Sequence, residues 1–545
     1  MALLLGLSLA IGAVMADVYF HRGIETGQEV PTVVQPTGRE LAVNVDLTVF
    51  PPEQIELVAA TLQTQGFRYV RQSVEWRSVE PRQGRFVWDR YDPIVRALTN
   101  RGLKPVLVLH GSPDWARAEN AIGLPDAPPL DPSTYATFVS EVVTRYSRDA
   151  EFVQLWDLPN RPERWGGNQA RPGDYLGLLA EGFNAARTAN PETKVIVAEL
   201  DAAPDGQTYG ADLRFLREMY ELEGANGFFD IVAIRLDGGT ASPYDRTVGR
   251  SDDSFSRAIL LRRLLLDVED GGKAIWATHY GWDAGGEAAA VSREEQADFM
   301  VAGHRRARAE WPWMGPLFAW DFMPRESEAG YALVSPDGGT TETLNALAAY
   351  AASGAASIAG TGFVPMDSQP VEYDGAWSDQ HLARRTFQFT AEVGATAKLT
   401  FRGSGVIAIL RESPQAGLIH VSIDGKPLEG RSGTEAASAI DLSWTQASDV
   451  PVELATGLDD GIHQLEITLV EPGQLTIGGL IVTRDVPFMW PVVALAGAGA
   501  LLVIFALREL AYVTAMRAGY LQRREGIELR PPLPILPDWR PMRRT

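Results

Sequence analysis

Short runs of β-branched and other apolar residues alternate with longer amphipathic stretches along most of the chain. The runs fall at 41–45, 69–72, 105–109, 153–156, 194–198, 231–234, 274–278 and 317–320. Between and after them, apolar residues recur every three or four positions, at 52–65, 92–101, 132–146, 175–189, 212–223, 255–266, 293–310 and 341–352. The first pattern fits buried strands and the second fits helices with one apolar face. Eight of each predict an α/β fold, a (β/α)8 TIM barrel over 39–355. An open doubly wound sheet is the alternative, but no Gly-x-Gly-x-x-Gly turn follows the first run.

Beyond a small-residue linker at 353–362 the helical period disappears. Residues 371–482 carry only short alternating segments separated by turn signals, Asp424-Gly425, Asp459-Asp460-Gly461 and Gly478-Gly479. This predicts an all-β sandwich, jelly-roll-like, over 363–485. Asp424-Gly425 sits between two alternating segments and predicts a tight hairpin.

Both ends carry membrane signals. Residues 2–16 are apolar or small and end at Asp17. Fifteen residues are few for a span, which needs about 20. Val14-Met15-Ala16 presents small or short side chains where a signal peptidase reads, although no basic segment precedes the run. A signal peptide or N-terminal anchor is expected at 1–16, then a linker at 17–38. Residues 487–507 are free of charge and, as a helix, reach about 31 Å, the depth of a hydrocarbon core. Trp490 stands at the start of this predicted transmembrane helix. Arg508, Arg517, Arg523, Arg524, Arg530, Arg540, Arg543 and Arg544 follow it. Positive charge beside a span marks the cytoplasmic side. The expected protein is single-pass in the cell membrane, with its folded domains extracytoplasmic and an Arg/Pro-rich tail at 508–545 inside. Pro531-Pro532-Leu533-Pro534 makes that tail extended.

Composition narrows the chemistry. A net charge of −21 argues against a nucleic-acid partner. The absence of cysteine excludes disulfides, thiolate metal sites and cysteine nucleophiles. No cofactor is expected. His110, His279 and Asp237 are conceivable metal ligands, but no His-x-His or His-Glu-x-x-His spacing supports them. Fourteen tryptophans suit either core packing or stacking on sugar rings.

Several motifs fall in order along the predicted barrel. Gly66-Phe67-Arg68-Tyr69-Val70-Arg71-Gln72-Ser73-Val74-Glu75-Trp76 covers its second strand, and His110-Gly111-Ser112-Pro113-Asp114-Trp115-Ala116 ends the third. Trp156-Asp157-Leu158-Pro159-Asn160, with Trp165 beyond, ends the fourth. Ile275-Trp276-Ala277-Thr278-His279-Tyr280-Gly281-Trp282 forms the seventh, and Phe318-Ala319-Trp320-Asp321 the eighth. Together they resemble the clan-A glycoside hydrolases of the cellulase and β-xylosidase type. The likeness covers roughly 39–355. The segment after it resembles the carbohydrate-binding jelly rolls appended to such enzymes, and a spacer is the alternative reading.

The resemblance implies two glutamates, an acid/base after the fourth strand and a nucleophile after the seventh. Retaining chemistry needs both, about 5–5.5 Å apart. Here those positions hold Leu158 and His279. Leucine donates no proton, and a histidine does not replace a carboxylate nucleophile, so degenerate catalysis is expected. Asp157 and Asp237 are the possible substitutes. Asp114, Glu199, Asp201, Asp283 and Asp321 are further carboxylates near strand ends, ordinarily ion-paired or solvated. Arg71 matches an arginine beneath the family's nucleophile. It disfavours a charged His279, and an ion pair with Asp46 or Glu75 is its structural alternative. Expected sugar contacts are Arg71, Trp76, His110, Trp115, Asn160, Trp165, Tyr280, Trp282 and Trp320. Trp115, Trp165 and Trp282 are the expected exposed platforms, with Trp156 and Trp320 in the core. Three functions remain open: a membrane-anchored carbohydrate binder, an active glycoside hydrolase with relocated carboxylates, and a scaffold for a protein partner in envelope polysaccharide machinery.

Overall fold

The structure, a computed structural model, describes residues 2–27, 40–124, 126–168, 170–204, 210–249, 253–285, 290–323, 328–354, 358–368, 370–382, 385–428, 439–485 and 489–524. One unit runs from Gly23 to Val486. Within it, eight parallel strands close into a barrel in chain order. They are β1 (Leu41–Asn44), β2 (Phe67–Glu75), β3 (Lys104–His110), β4 (Phe152–Leu155), β5 (Lys194–Val197), β6 (Ile231–Asp237), β7 (Ala274–Gly281) and β8 (Met314–Ala319). Each is followed by a helix: Pro52–Thr64, Asp92–Asn100, Pro132–Arg145, Pro172–Ala189, Ala211–Tyr220, Ala258–Asp267, Arg293–Glu310 and Glu342–Ala352.

Strand alternation explains where the site lies. Ala42, Tyr69, Val106, Phe152, Ile196 and Phe318 pack together inside the barrel. Side chains two residues apart share a strand face. The next inward layer toward the strand C-termini is therefore Asn44, Arg71, Val108 and Gln154, and polar chemistry begins there. Tryptophans and aliphatics between strands and helices form the larger outer core.

Two six-stranded antiparallel sheets follow. Leu399 and Phe401 from one pack with Val406, Ala408 and Leu410 from the other in a shared core. Asp424 and Gly425 both have positive φ, 52° and 72°, and close a hairpin in which Ile423 faces Lys426. That is the mirror-image turn the sequence predicts. Gly478-Gly479 is instead mid-strand, within Leu475–Thr483. A Cβ at Gly479 would lie 2.2 Å from the Phe363 ring, so the glycines mark close packing and not a turn.

A second unit holds both ends of the chain. Its helices Ala2–Phe20 and Trp490–Arg524 are long and apolar enough to cross a membrane. They touch where side chains are smallest: a Cβ on Gly6 would stand 2.8 Å from the Gly499 carbonyl oxygen. The first helix continues through Asp17 to Phe20, so the linker predicted from 17 begins later. The second continues past Leu507 through Arg508 and Arg517. Most of the predicted N-terminal linker and the proline-containing tail lie outside the described residues.

Candidate functional site at the barrel mouth

Backbone irregularity at two strand ends builds the site. At the end of β4, Trp156 and Leu158 adopt left-handed φ of 71° and 46°. Such a conformation is costly for residues with side chains and persists only when the surroundings enforce it. It turns the intervening Asp157 into the barrel. On β7 the register against β6 slips between Ile234 and Arg235, which pair with Ala277 and His279. The extra residue lets two consecutive side chains, Thr278 and His279, reach the same buried acceptor.

That acceptor is Glu199, two residues beyond β5, with a fully buried side chain. Its Oε2 accepts from Thr278 Oγ1 at 2.6 Å and from His279 Nδ1 at 2.7 Å. The proton on that histidine therefore sits on Nδ1, leaving Nε2 with a lone pair.

Charges of alternating sign cross the mouth from Glu199 in both directions. On one side Arg235 Nη1 is 3.5 Å from Glu199, and its Nη2 is 3.1 Å from Glu328. On the other, Arg71 Nη2 lies 4.0 Å from Glu199 and 3.0 Å from Asp157. Arg164 then bridges Asp157 at 2.7 Å and Asp126 at 2.9 Å. Arg71 is fixed further by bonds to Gln154 Oε1 and Asn44 Oδ1. Its partners are thus neither Asp46 nor Glu75, the pairs open at the sequence level. Asp46 caps the turn at Thr48, and Glu75 pairs with Arg77.

Protonation follows from this network. Burial pushes the Asp157 carboxyl upward, but Arg164 and Arg71 together outweigh it and hold it below its ordinary value. Burial also acts upward on Glu199, yet His279, Arg71 and Arg235 hold that carboxyl well below the usual range. Burial and the charges of Arg235 and Arg71 lower His279 against the pull of Glu199, so its ring is neutral at pH 7. Asp237 behaves oppositely. Burial raises its carboxyl despite bonds from the Tyr331 hydroxyl and the Gly239 amide.

Asp157 and Glu199 both approach one nitrogen of Arg71, so their nearest oxygens lie within about 7 Å of each other. Separation alone therefore permits hydrolytic chemistry. Glycosidic cleavage also needs a proton donor, and both of these groups are held below their ordinary values. Leu158, at the position where the resemblance places the acid, is buried.

A second cluster adjoins the first. Ser73, two residues beyond Arg71 on the same face of β2, has its Oγ 2.5 Å from His110 Nε2. His110 Nδ1 is 3.6 Å from Asp126 Oδ1. Burial works to raise Asp126, but His110 and Arg164 outweigh it and hold it ionised.

Several expected sugar contacts lie elsewhere. Trp165 and Trp282, expected as exposed platforms, are buried: Trp165 packs edge-on against Trp156 and Tyr175, and Trp282 donates to the Ala241 carbonyl. Trp76 is stacked on Phe138 and bonded to Glu80. Tyr280 points into the helical layer, where its hydroxyl donates to the Met300 carbonyl. Asn160 exchanges two bonds with the Asp201 backbone and ties two loops together. Trp115 is half-buried and donates to the Glu80 carbonyl. Trp320 lies in the mouth, but its ring is engaged: Tyr331 stacks at 4.2 Å and the Arg235 guanidinium lies 4.1 Å from the centroid. Arg71, His110, Asp157 and His279 do come together. Glu199 was visible only as one strand-end carboxylate among several, and Ser73 and Asp126 carried no separate signal. Among the described residues no group of three or more His, Asp or Glu side chains is arranged to hold a metal ion.

No family model matches the chain. Solved structures similar to it include a family 39 glycoside hydrolase from Bacteroides cellulosilyticus WH2, at 17% identity and TM-score 0.48, with 83% of each chain covered. A glucosidase from Croceicoccus marinus gives 13% identity and TM-score 0.46, covering 82% of this chain and 98% of that one. A family 39 β-xylosidase from Caulobacter crescentus gives 15% and 0.43, covering 82% and 99%.

Proposed function

We propose that this protein is a membrane-anchored, extracytoplasmic carbohydrate-binding protein that retains a glycosidase-like barrel without glycosidase activity. The observation that carries this reading is the state of the two mouth carboxylates. Asp157 and Glu199 are each engaged by two arginines and held ionised, so neither supplies the proton a leaving sugar oxygen requires. What remains is a rigid set of fixed donors and acceptors, which suits recognition of sugar hydroxyls. With the Trp320 ring engaged by Tyr331 and Arg235, recognition rests on hydrogen bonds at His279 Nε2, Arg235 and Arg164 rather than on ring stacking. Anchoring rests on the two apolar helices and their Gly6–Gly499 contact, which favours a retained N-terminal helix over a cleaved one. Both termini are then cytoplasmic, in keeping with the arginines after residue 507.

The test is a glycan array with detergent-solubilised protein, run beside a panel of 4-nitrophenyl glycosides. Binding without turnover is expected. Turnover abolished by Asp237→Asn would establish the relocated-acid hydrolase instead, since Asp237 has the raised carboxyl such an acid needs. A third reading, a protein-binding scaffold, is favoured by the Arg235–Trp320–Tyr331 stack across the mouth. It predicts no glycan binding at any concentration tested.

A further inference from the structure

We propose that Ser73, His110 and Asp126 form a nucleophile–base–positioning relay that removes acyl groups esterified to glycan hydroxyls. The proposal takes its substrate class from the carbohydrate-binding reading above; the relay itself stands on its own geometry. Ser73 Oγ is 2.5 Å from His110 Nε2, in the direct contact that a nucleophile and its base require. On the far side of the ring, Nδ1 faces the Asp126 carboxylate at 3.6 Å. That is longer than a tight hydrogen bond but within the looseness common in unliganded sites. An ionised Asp126 places the ring proton on Nδ1, so Nε2 is free to accept from Ser73. Arg164, with a third of its side chain exposed, bonds Asp126 and keeps it charged.

The three residues come from adjacent segments at the mouth. Ser73 shares the inward face of β2 with Arg71, His110 ends β3, and Asp126 lies in the loop after it. Ser73 is partly exposed, whereas neighbouring Gln72 and Val74 are buried.

The chemistry balances with water as the only co-reactant. Ser73 Oγ attacks the ester carbonyl carbon while its proton passes to His110 Nε2. The tetrahedral adduct collapses by breaking the bond to the glycan oxygen, which takes that proton and leaves as the free hydroxyl. Water then attacks the acyl-Ser73 carbonyl and gives a proton to His110. The carbon–Ser73 bond breaks, Ser73 recovers the proton, and the carboxylic acid departs. No glycosidic bond is touched, so the step needs no carboxylic acid in the mouth.

The experiment uses the full-length protein in detergent with a fluorophosphonate probe, followed by peptide mapping. One phosphonyl adduct on Ser73 is expected. Saturable hydrolysis of 4-nitrophenyl acetate and release of acetate from acetylated xylan should both vanish in Ser73→Ala, with folding checked by thermal melting. Asp126→Asn should lower kcat by about 10³–10⁴-fold with KM little changed and should reshape the pH–rate profile. No adduct on Ser73 under excess probe, or equal ester turnover in Ser73→Ala, overturns the relay. If the unlabelled protein binds glycans on an array, only the relay fails. If it labels and turns over 4-nitrophenyl acetate but binds no glycan, only the substrate class fails.

Discussion

Arg71 holds the two mouth carboxylates, and replacing it with methionine measures how much the fold depends on the charge network. Arg71 is buried, makes bonds to Gln154 and Asn44, and approaches Asp157 at 3.0 Å and Glu199 at 4.0 Å. Methionine fills similar volume, so the main loss is charge. Each contact is worth about 4 kcal/mol or more in gross attraction at an effective dielectric of 20. Desolvation cancels much of that, and removing one partner of a buried pair costs a net of about 3–5 kcal/mol. Asp157 keeps Arg164, and Glu199 keeps Arg235 and His279, which places the expected cost at the lower end. At 2–4 °C per kcal/mol, the barrel's Tm should fall by roughly 6–12 °C. The two carboxyls also lose a stabilising cation. Carboxyls with depressed pKa contribute stability above their unfolded value near 4 and lose it as pH falls through the folded value. Removing Arg71 raises the folded values, so acid unfolding should begin at higher pH. Calorimetry across pH 3–8 reads both effects. The double variant Arg71→Met/Asp157→Asn should recover part of the loss, because it removes both partners of one pair. A drop under about 1 kcal/mol, with no change in acid onset, refutes the claim that the network is held together through Arg71.

Three further outcomes are expected. His279 is held neutral by burial and by Arg235 and Arg71, so the unfolded chain takes up a proton first as pH drops below about 6.5, and the folded state loses stability there. His279→Gln should remove that component, read as a smaller Tm difference between pH 7.5 and pH 5.5 than in the wild type. Replacing Gly499 with leucine places a side chain where even a Cβ would stand 2.7 Å from the Gly6 carbonyl oxygen. Cross-linking between a pair of cysteines introduced one on each end helix should fall sharply in that variant. Trp444 in the sandwich exposes 61% of its surface. If the sandwich binds polysaccharide, Trp444→Ala should weaken pull-down on insoluble glycan several-fold, and an unchanged pull-down marks the sandwich as a spacer.

The barrel was legible because eight buried strands and eight amphipathic helices leave a periodic record. Asp424-Gly425 was legible for a similar reason: only a few residues tolerate two successive left-handed conformations. The mouth was only partly legible. Arg71, His110, Asp157 and His279 lie in motifs whose order marks strand ends. Which carboxylate meets them depends on a left-handed Leu158 and a slipped register on β7, and neither leaves a pattern in the sequence. Tryptophan misled for a physical reason. Near a strand end the same residue serves a platform or an inter-layer wedge, and only the helix packed behind it decides which. Trp282 fills the space that Gly238 leaves open, where a Cβ would stand 1.9 Å from the indole. The slip on β7 has the widest consequence. By letting Thr278 and His279 both bond Glu199, it puts an ionised, buried carboxylate below an imidazole where the resemblance implies a nucleophilic glutamate. An imidazole with its lone pair on Nε2 accepts hydrogen bonds readily.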